Sequence, residues 1–333
     1  MDDQSHMARA AALADAVHGT TTPNPWVGCV VVPHSPAPGL PDAYEGATAP
    51  PGGPHAEVRA LRSAAADDRA RGAVLYTTLE PCSHHGRTPP CVDAIVEAGV
   101  SRVVIGVLDP DPRVSGRGAE SLQGAGIEVV VGVESARIAE QLAPYLKHRR
   151  TGRPWVVLKL AATLDGRTAA PDGSSRWITG EEARRDVHRL RARSDAVLVG
   201  AGTVRADDPE LTVRSGDRGD RQPIRVVLGR APADARVHPA LELSGDLGDV
   251  LDDLGSRGVL QLLVEGGAHV AHQLHRAGLV DRYVLYLAPA LFGGDDARPV
   301  FAGPGAPTVG DVWRGRLVSV ERLGEDLRVE VAA

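Results

Sequence analysis

A chain of 333 residues exceeds one ordinary domain and leaves room for two, and 43% hydrophobic with 24% charged residues is the balance of a folded globular protein. A formal net charge of -6 argues against a polynucleotide or an anionic membrane as the main partner, since both call for a surplus of cations. Three cysteines, Cys29, Cys82 and Cys91, cannot build a disulfide framework at this length, so a reducing, cytoplasmic setting is expected.

The opening Met1-Asp2-Asp3 is acidic where a secretory signal would be basic, and residues 8–17 read as a soluble Ala-rich helix interrupted by Arg9 and Asp15. The longest uncharged apolar run, residues 196–204, is far too short for a membrane span. β-Branched runs at 27–32, 74–77, 102–107 and 128–131 predict strands, alternating with helices at 55–68, 91–98, 116–125 and 135–148. That alternation is the signature of a layered α/β domain. Residues 33–54 are so rich in Pro and Gly that they predict a surface loop with at most a short strand inside. A basic, turn-forming stretch at 147–154 then separates a domain over residues 1–148 from one over 154–333. The alternation restarts with strand 155–161, helix 180–192, strands 196–199 and 224–228, helix 247–255, strand 260–264 and helix 268–277. It closes with strands near 282–287, 318–323 and 328–331, and the two halves share no repeated motif.

The first half carries a metal-ligand pattern. His55-Ala56-Glu57 opens a predicted helix, and Pro81-Cys82 and Pro90-Cys91 follow. Zinc deaminases use one His, a Glu two residues on, then a Pro-Cys and a second Cys. One imidazole and two thiolates fill three tetrahedral positions and leave the fourth for a water. Glu57, in the same helical turn as His55, would move protons rather than bind metal. Pro90 suits a helix start, where free N–H groups favour the Cys91 thiolate. Two plainer readings stay open here: a closed structural zinc site with His84 as fourth ligand, and cysteines that merely pack. Cys29, inside an apolar strand, reads as core.

The run Pro81-Cys82-Ser83-His84-His85-Gly86-Arg87-Thr88-Pro89-Pro90-Cys91, with His55-Ala56-Glu57 and Asn24-Pro25-Trp26-Val27-Gly28, resembles the bifunctional deaminase-reductases of bacterial riboflavin biosynthesis. Generic nucleoside deaminases part their cysteines by two residues, whereas eight, Ser83 to Pro90, intervene here, as in that family. The resemblance extends over nearly the whole chain. It implies a cytidine-deaminase-like three-layer αβα domain followed by a dihydrofolate-reductase-like α/β domain. It also implies one zinc ion held by His55, Cys82 and Cys91, with Glu57 shuttling protons. The substrate would be the small pyrimidine ribonucleotide 2,5-diamino-6-(5-phosphoribosylamino)pyrimidin-4-one, which loses its 2-amino group as ammonia. Asn24 would line the pyrimidine pocket, with His84 and Arg87 holding the phosphoribosyl arm. Thr48 falls where many members carry a His.

The second half lacks a Gly-x-Gly-x-x-Gly fingerprint, since Arg205 stands where the third glycine after Gly200 and Gly202 would be. A strand–Gly266-Gly267–helix turn allows a ligand to approach the backbone, although most such turns are only turns. Residues 159–167, 175–179, 202–209 and 264–267 resemble the same family's reductase domain, which uses NADPH to convert the ribosyl group to ribityl. Carried over by position, Ala161, Trp177, Thr203, Asp207 and Gly267 would line the NADPH site. Ser175, Arg191, Leu211, Arg214 and Glu265 would line the substrate site, with Lys159 and Glu265 polarising or protonating the opened sugar. Two departures bear on cofactor preference: Ala268-His269 in place of Pro-Thr, and a short segment from 229 to 258. The resemblance further implies a homo-oligomer, dimer or tetramer. Two other classes remain in view, a nucleic-acid deaminase and a module whose second half only senses a nucleotide. The cysteine spacing and the acidity oppose the first.

Overall fold

The computed structural model describes residues 2–84, 89–214 and 221–333. Two compact units emerge, Met1–Gly152 and Arg153–Ala333.

The first unit runs α1 (Asp3–Ala16), β1 (Gly28–Val32), β2 (Tyr44–Ala47), α2 (Ala56–Ala66), β3 (Val74–Leu79), α3 (Cys91–Ala98), β4 (Arg102–Val107), α4 (Arg117–Gly124), β5 (Glu128–Val131), α5 (Ser135–Gln141) and α6 (Ala143–Thr151). Its five strands lie in the order β2-β1-β3-β4-β5, with β1 antiparallel to both neighbours and β3, β4 and β5 parallel. Two glycines decide where the first helices sit. A Cβ on Gly28 would lie 1.9 Å from the Ala10 carbonyl oxygen of α1, and one on Gly46 would lie 2.1 Å from the Ala56 carbonyl oxygen of α2. Because Cys29 pairs with Gly46, Gly28 and Gly46 project to opposite faces, and so the two helices cover opposite faces. Tyr76 points to the α1 side, where its hydroxyl donates to Asp3. Gly106 lies on that same side through the Tyr76–Val104 register and meets Ile138 of α5. The result is the three-layer αβα arrangement.

The structure corrects the predicted helix over 135–148. It is broken at Leu142, and α6 takes Pro144 in its first turn, where the missing N–H costs nothing. The stretch read as a turn is helical up to Thr151, since His148, Arg149 and Arg150 suit the negative end of the helix. The break comes at Gly152, which caps α6 in the left-handed region with φ 74°.

The second unit comprises β6 (Trp155–Thr163), β7 (Arg167–Ala169), α7 (Glu181–Arg193), β8 (Ala196–Gly200), α8 (Ala201–Asp207), β9 (Ile224–Leu228), β10 (Leu241–Leu243), α9 (Leu247–Ser256), β11 (Gln261–Val264), α10 (Ala268–Arg276), β12 (Arg282–Ala288), β13 (Arg298–Pro299), β14 (Arg316–Leu323) and β15 (Asp326–Ala332). Eight strands form one sheet in the order β10-β9-β8-β11-β6-β12-β15-β14. The first six are parallel, and β15 and β14 close the edge antiparallel. Alternate residues feed two cores, as a sheet buried on both faces requires. Leu158, Leu198 and Leu262 meet Leu254 of α9 and Ala271 of α10, while Val157, Val197 and Leu263 meet Ala183 and Val187 of α7. The short β7, α8, β10 and β13 lie below the length at which periodicity speaks. Among the described residues, no helix is long and apolar enough to cross a membrane.

Candidate active sites

In the first unit the sheet and two helix N-termini converge on one point. His55 is the N-cap of α2, Cys91 is the first residue of α3, and Cys82 follows the end of β3. His55 Nδ1 lies 3.2 Å from Cys91 Sγ and 3.6 Å from Cys82 Sγ, and all three ligand atoms fall within 4.8 Å of one another. Tetrahedral zinc with Zn–N of about 2.0–2.1 Å and Zn–S of about 2.3 Å separates N and S by about 3.6 Å, so the trio fits the ion. Among the described residues no fourth His, Cys, Asp or Glu joins them. His84, the alternative fourth ligand, instead lines the adjoining cavity, its Nδ1 buried without a hydrogen-bond partner among the described residues. The arrangement is therefore that of an open site. Hydrogen bonds from Cys91 and His55 hold the Cys82 thiol well below the usual range, giving a ready thiolate.

Glu57 is only 4% exposed, with Oε2 3.5 Å from Cys91 Sγ. Burial pushes its carboxyl up, towards a group that can both accept and return a proton. The cavity holds about 440 Å³ and is lined by Asn24, Thr48, His55, Glu57, Cys82 and His84, among others. Thr48 has its hydroxyl engaged by the Val27 backbone, accepting from the N–H at 3.0 Å. Arg87 lies outside the described residues. Cys29 is fully buried on β1, as a core residue should be.

Sequence reasoning missed the opposite wall of this cavity. Asp109, Asp111 and Arg113 come from the loop after β4, and Tyr145 and Arg149 from α6. Burial raises the Asp109 carboxyl, which accepts from the Tyr145 hydroxyl at 2.8 Å. The Arg113 guanidinium beside Asp111 pulls that carboxyl down to about 2. Glu80 anchors the loop. Its Oε1 accepts from the Gly118 and Ala119 amides at 2.9 and 3.2 Å, and its Oε2 from Asp109 and Gly116 at 3.1 and 3.0 Å. Glu80-Pro81-Cys82 thus ties a metal ligand to the far wall. The only sequence signal was an acidic residue embedded in an apolar strand end.

In the second unit a cavity of about 1040 Å³ opens at the carboxyl ends of β6, β8 and β11, the usual place for a ligand on a parallel sheet. Lys159, Ala161, Ser175, Arg191, Thr203 and Asp207 line it, as do Leu211, Glu265 and Gly267. The turns into α8 and α10 lie close together there, since a Cβ on Gly267 would come within 3.2 Å of Thr203 Oγ1. Arg191 grips Glu265 with both ends of its fork, at 2.5 and 2.9 Å, and spends a further N–H on the Thr212 carbonyl. Burial by itself would raise the Glu265 carboxyl. Arg191 and Lys159 outweigh that and hold it below its ordinary range. Burial likewise pushes the Lys159 amine down. Trp177 and Arg214 are not among the cavity-lining residues. Trp177 stands 70% exposed, with Arg184 4.6 Å and Arg176 5.9 Å from its ring centroid, and Arg214 pairs with Glu210 at 2.6 Å. Arg205, His269 and Arg298 also line the cavity and were not singled out from sequence.

Comparison with known proteins fits both halves. Residues 1–107 match the cytidine and deoxycytidylate deaminase zinc-binding region, and residues 154–329 match the RibD C-terminal domain. The Escherichia coli riboflavin biosynthesis protein RibD is 40% identical, with 98% of each chain covered. The Acinetobacter baumannii RibD structure superposes with a TM-score of 0.90 at 38% identity, covering 99% of this chain and 98% of that one. A diaminohydroxyphosphoribosylaminopyrimidine deaminase/5-amino-6-(5-phosphoribosylamino)uracil reductase from Thermotoga maritima gives a TM-score of 0.87 at 35% identity over 99% and 98%. The chain belongs to the RibD family of bifunctional riboflavin-biosynthesis enzymes, with a zinc-binding deaminase domain followed by a reductase domain of the NADPH-using kind.

Proposed function

We propose that the first unit hydrolyses the 2-amino group of 2,5-diamino-6-(5-phosphoribosylamino)pyrimidin-4-one, and that the second reduces the ribosyl group of the product to ribityl. The observation that carries the reading is a three-ligand site left open beside a buried carboxylate. Zinc, held by His55, Cys82 and Cys91, supplies the Lewis acidity that makes water a nucleophile near neutral pH. Glu57 takes the proton of the attacking water as the C2–O bond forms. It returns that proton to the amino nitrogen as the C2–N bond breaks and ammonia leaves. Asn24 and Asp109 offer acceptors to the N–H groups of the pyrimidine, and His84 faces its phosphoribosyl arm, which Arg87 would help to hold.

In the second unit NADPH supplies the hydride. Ala161, Thr203, Asp207 and Gly267 lie where its site would be, and Trp177 would reach it only from the rim. Lys159 delivers a proton to the opened sugar as hydride reaches C1, and its lowered affinity for that proton suits the task. Arg191 keeps Glu265 ionised beside the sugar, Ser175 and Leu211 shape the pocket, and Arg298 is the lining cation for its phosphate, which Arg214 would reach only by leaving Glu210. We place both steps in the cytoplasm, where Cys82 and Cys91 stay reduced, and we take the working form to be a homo-oligomer. Metal analysis, ammonia release and NADPH oxidation, measured on one preparation, test the reading. Ammonia release from RNA but not from the free pyrimidine nucleotide would overturn the first half, and NADPH binding without oxidation the second.

A further inference from the structure

One face of α6 ties down both groups that would accept from the pyrimidine. Tyr145 and Arg149 stand one helical turn apart, so they project from the same side of the helix. Tyr145 is 4% exposed and its hydroxyl donates to Asp109 Oδ2 at 2.8 Å, while the Asp111 amide donates to Oδ1 at 2.9 Å. Each carboxylate oxygen is thus held by one donor and keeps a second lone pair. Arg149 lies over the Tyr145 ring, its guanidinium carbon 5.0 Å from the centroid, and donates to the Pro23 carbonyl at 3.3 Å. Pro23 sits inside a turn that is closed twice. The Asn24 amide donates to the Thr21 carbonyl at 2.9 Å, and the Thr21 hydroxyl donates to the Asn24 carbonyl at 3.0 Å. Pro23, Asn24, Asp109, Tyr145 and Arg149 all line the cavity.

We propose that Tyr145 and Arg149 are positioning residues of the deaminase pocket, fixing Asp109 and the Asn24 turn against one helix so that both acceptors meet the pyrimidine. The inference rests on the deaminase reading, which gives Asp109 and Asn24 that role, and adds what holds them. A ring N–H needs an acceptor, and a protonated Asp109 would turn a donor towards it from one of its oxygens. Burial and the Asp111 charge work towards that protonated form, whereas the Asp111 amide, the Tyr145 hydroxyl and the Arg149 charge oppose it. The charged and titratable groups around Asp109 are Asp111 and Arg113 from its own loop, Glu80 from the end of β3, and Tyr145 and Arg149 from α6. His55, Glu57 and His84 share the cavity. Among the described residues, Tyr145 is the one side chain that donates to the Asp109 carboxylate. Burial and the Asp109 charge push its own hydroxyl up, so it stays a donor throughout the working pH range.

The test is deamination kinetics of the zinc-loaded, full-length protein from about pH 5.5 to about 8.5. The variants are Tyr145→Phe, Arg149→Met, Arg149→Lys and Asp109→Asn, beside the wild type. Tyr145→Phe should raise KM for the pyrimidine nucleotide at least about 5-fold and leave kcat within about 2-fold, the mark of lost uniform binding. Its deficit in kcat/KM should widen as pH falls, because the acid limb moves up by about half a pH unit when Asp109 loses a donor. Arg149→Met should act in the same direction, which keeps the test valid if Tyr145→Phe fails to fold. Arg149→Lys keeps the charge and should restore most of the acid limb. A deficit equal at every pH, or a fall in kcat at unchanged KM, would make both residues merely structural and refute the proposal. Wild-type kinetics in the Tyr145 and Arg149 variants, with KM raised in Asp109→Asn, would sink the inference alone. A wild-type KM in Asp109→Asn would remove the acceptor role beneath it, and a wild type that releases no ammonia from the nucleotide would overturn the deaminase reading itself.

Discussion

Glu80→Gln is nearly isosteric, yet it should be among the most damaging single changes in the first unit. Each carboxylate oxygen of Glu80 receives two backbone N–H groups, and three of the four bonds are buried. An amide has one acceptor end. Whichever way Gln turns, two backbone N–H groups lose their partner and face an NH₂ donor instead. Orphaned buried donors cost about 1–3 kcal/mol each, so the penalty is about 2–6 kcal/mol before any repulsion is counted. Total stabilities are about 5–15 kcal/mol, so a large part of the margin would go. Thermal melting of the full chain should show the transition that accompanies loss of deamination at least about 5 °C lower. Deamination should fall as well, because the released loop carries Asp109, Asp111 and Arg113. NADPH oxidation with the deaminated substrate should survive at temperatures below that transition. A variant melting within 1 °C or so of wild type with deamination intact would refute the argument, since it would mean water satisfies those amides as well as the carboxylate does.

Glu57→Gln should keep one zinc per chain by metal analysis while ammonia release drops by about 10²–10⁴, the range of general acid–base catalysis; retention of most of the turnover would remove Glu57 from proton transfer. Lys159→Ala should slow NADPH oxidation at least about 100-fold and leave deamination alone, as parallel assays can show; joint loss would mean the two sites are coupled. Asp111 titrates at about 2 in the fold against 3.8 for the free group, so its pairing with Arg113 contributes fully above about pH 4 and is lost as pH falls through 2. The melting difference between wild type and Asp111→Asn should therefore stay level from pH 7 to 4 and shrink below that. It should amount to about 1 kcal/mol, because Arg113 is largely exposed, and growth on acidification would contradict the assignment.

The zinc ligands and Glu57 were legible because their chemistry is local: a cap and a first helical turn fix His55 and Glu57, and a proline announces the start of α3. The far wall was not, since Asp109, Tyr145 and Arg149 reach the cavity by way of sheet order and helix packing, which leave no spacing to read. Lys159, Arg191 and Glu265 look unrelated in the chain, 32 and 74 residues apart in succession, until the parallel pairing of β11 with β6 and the α7 crossover bring them into one cavity. Helix ends were predicted well where Gly or Pro stood at them. The predicted helix over 135–148 misled because the pattern of apolar residues continues straight through Leu142 and Pro144.

The stem of the excursion between the two cysteines is closed by its own backbone. The Cys91 amide donates to Cys82 Sγ at 3.3 Å, and the Val92 amide donates to the Cys82 carbonyl at 3.2 Å. Both bonds lie at the base, so the separation of the ligands is set there and not by the number of residues strung between them. A change of sequence or length beyond His84 should therefore leave the metal meeting the same two sulfurs, so that this part of the chain can be varied without rebuilding the metal site.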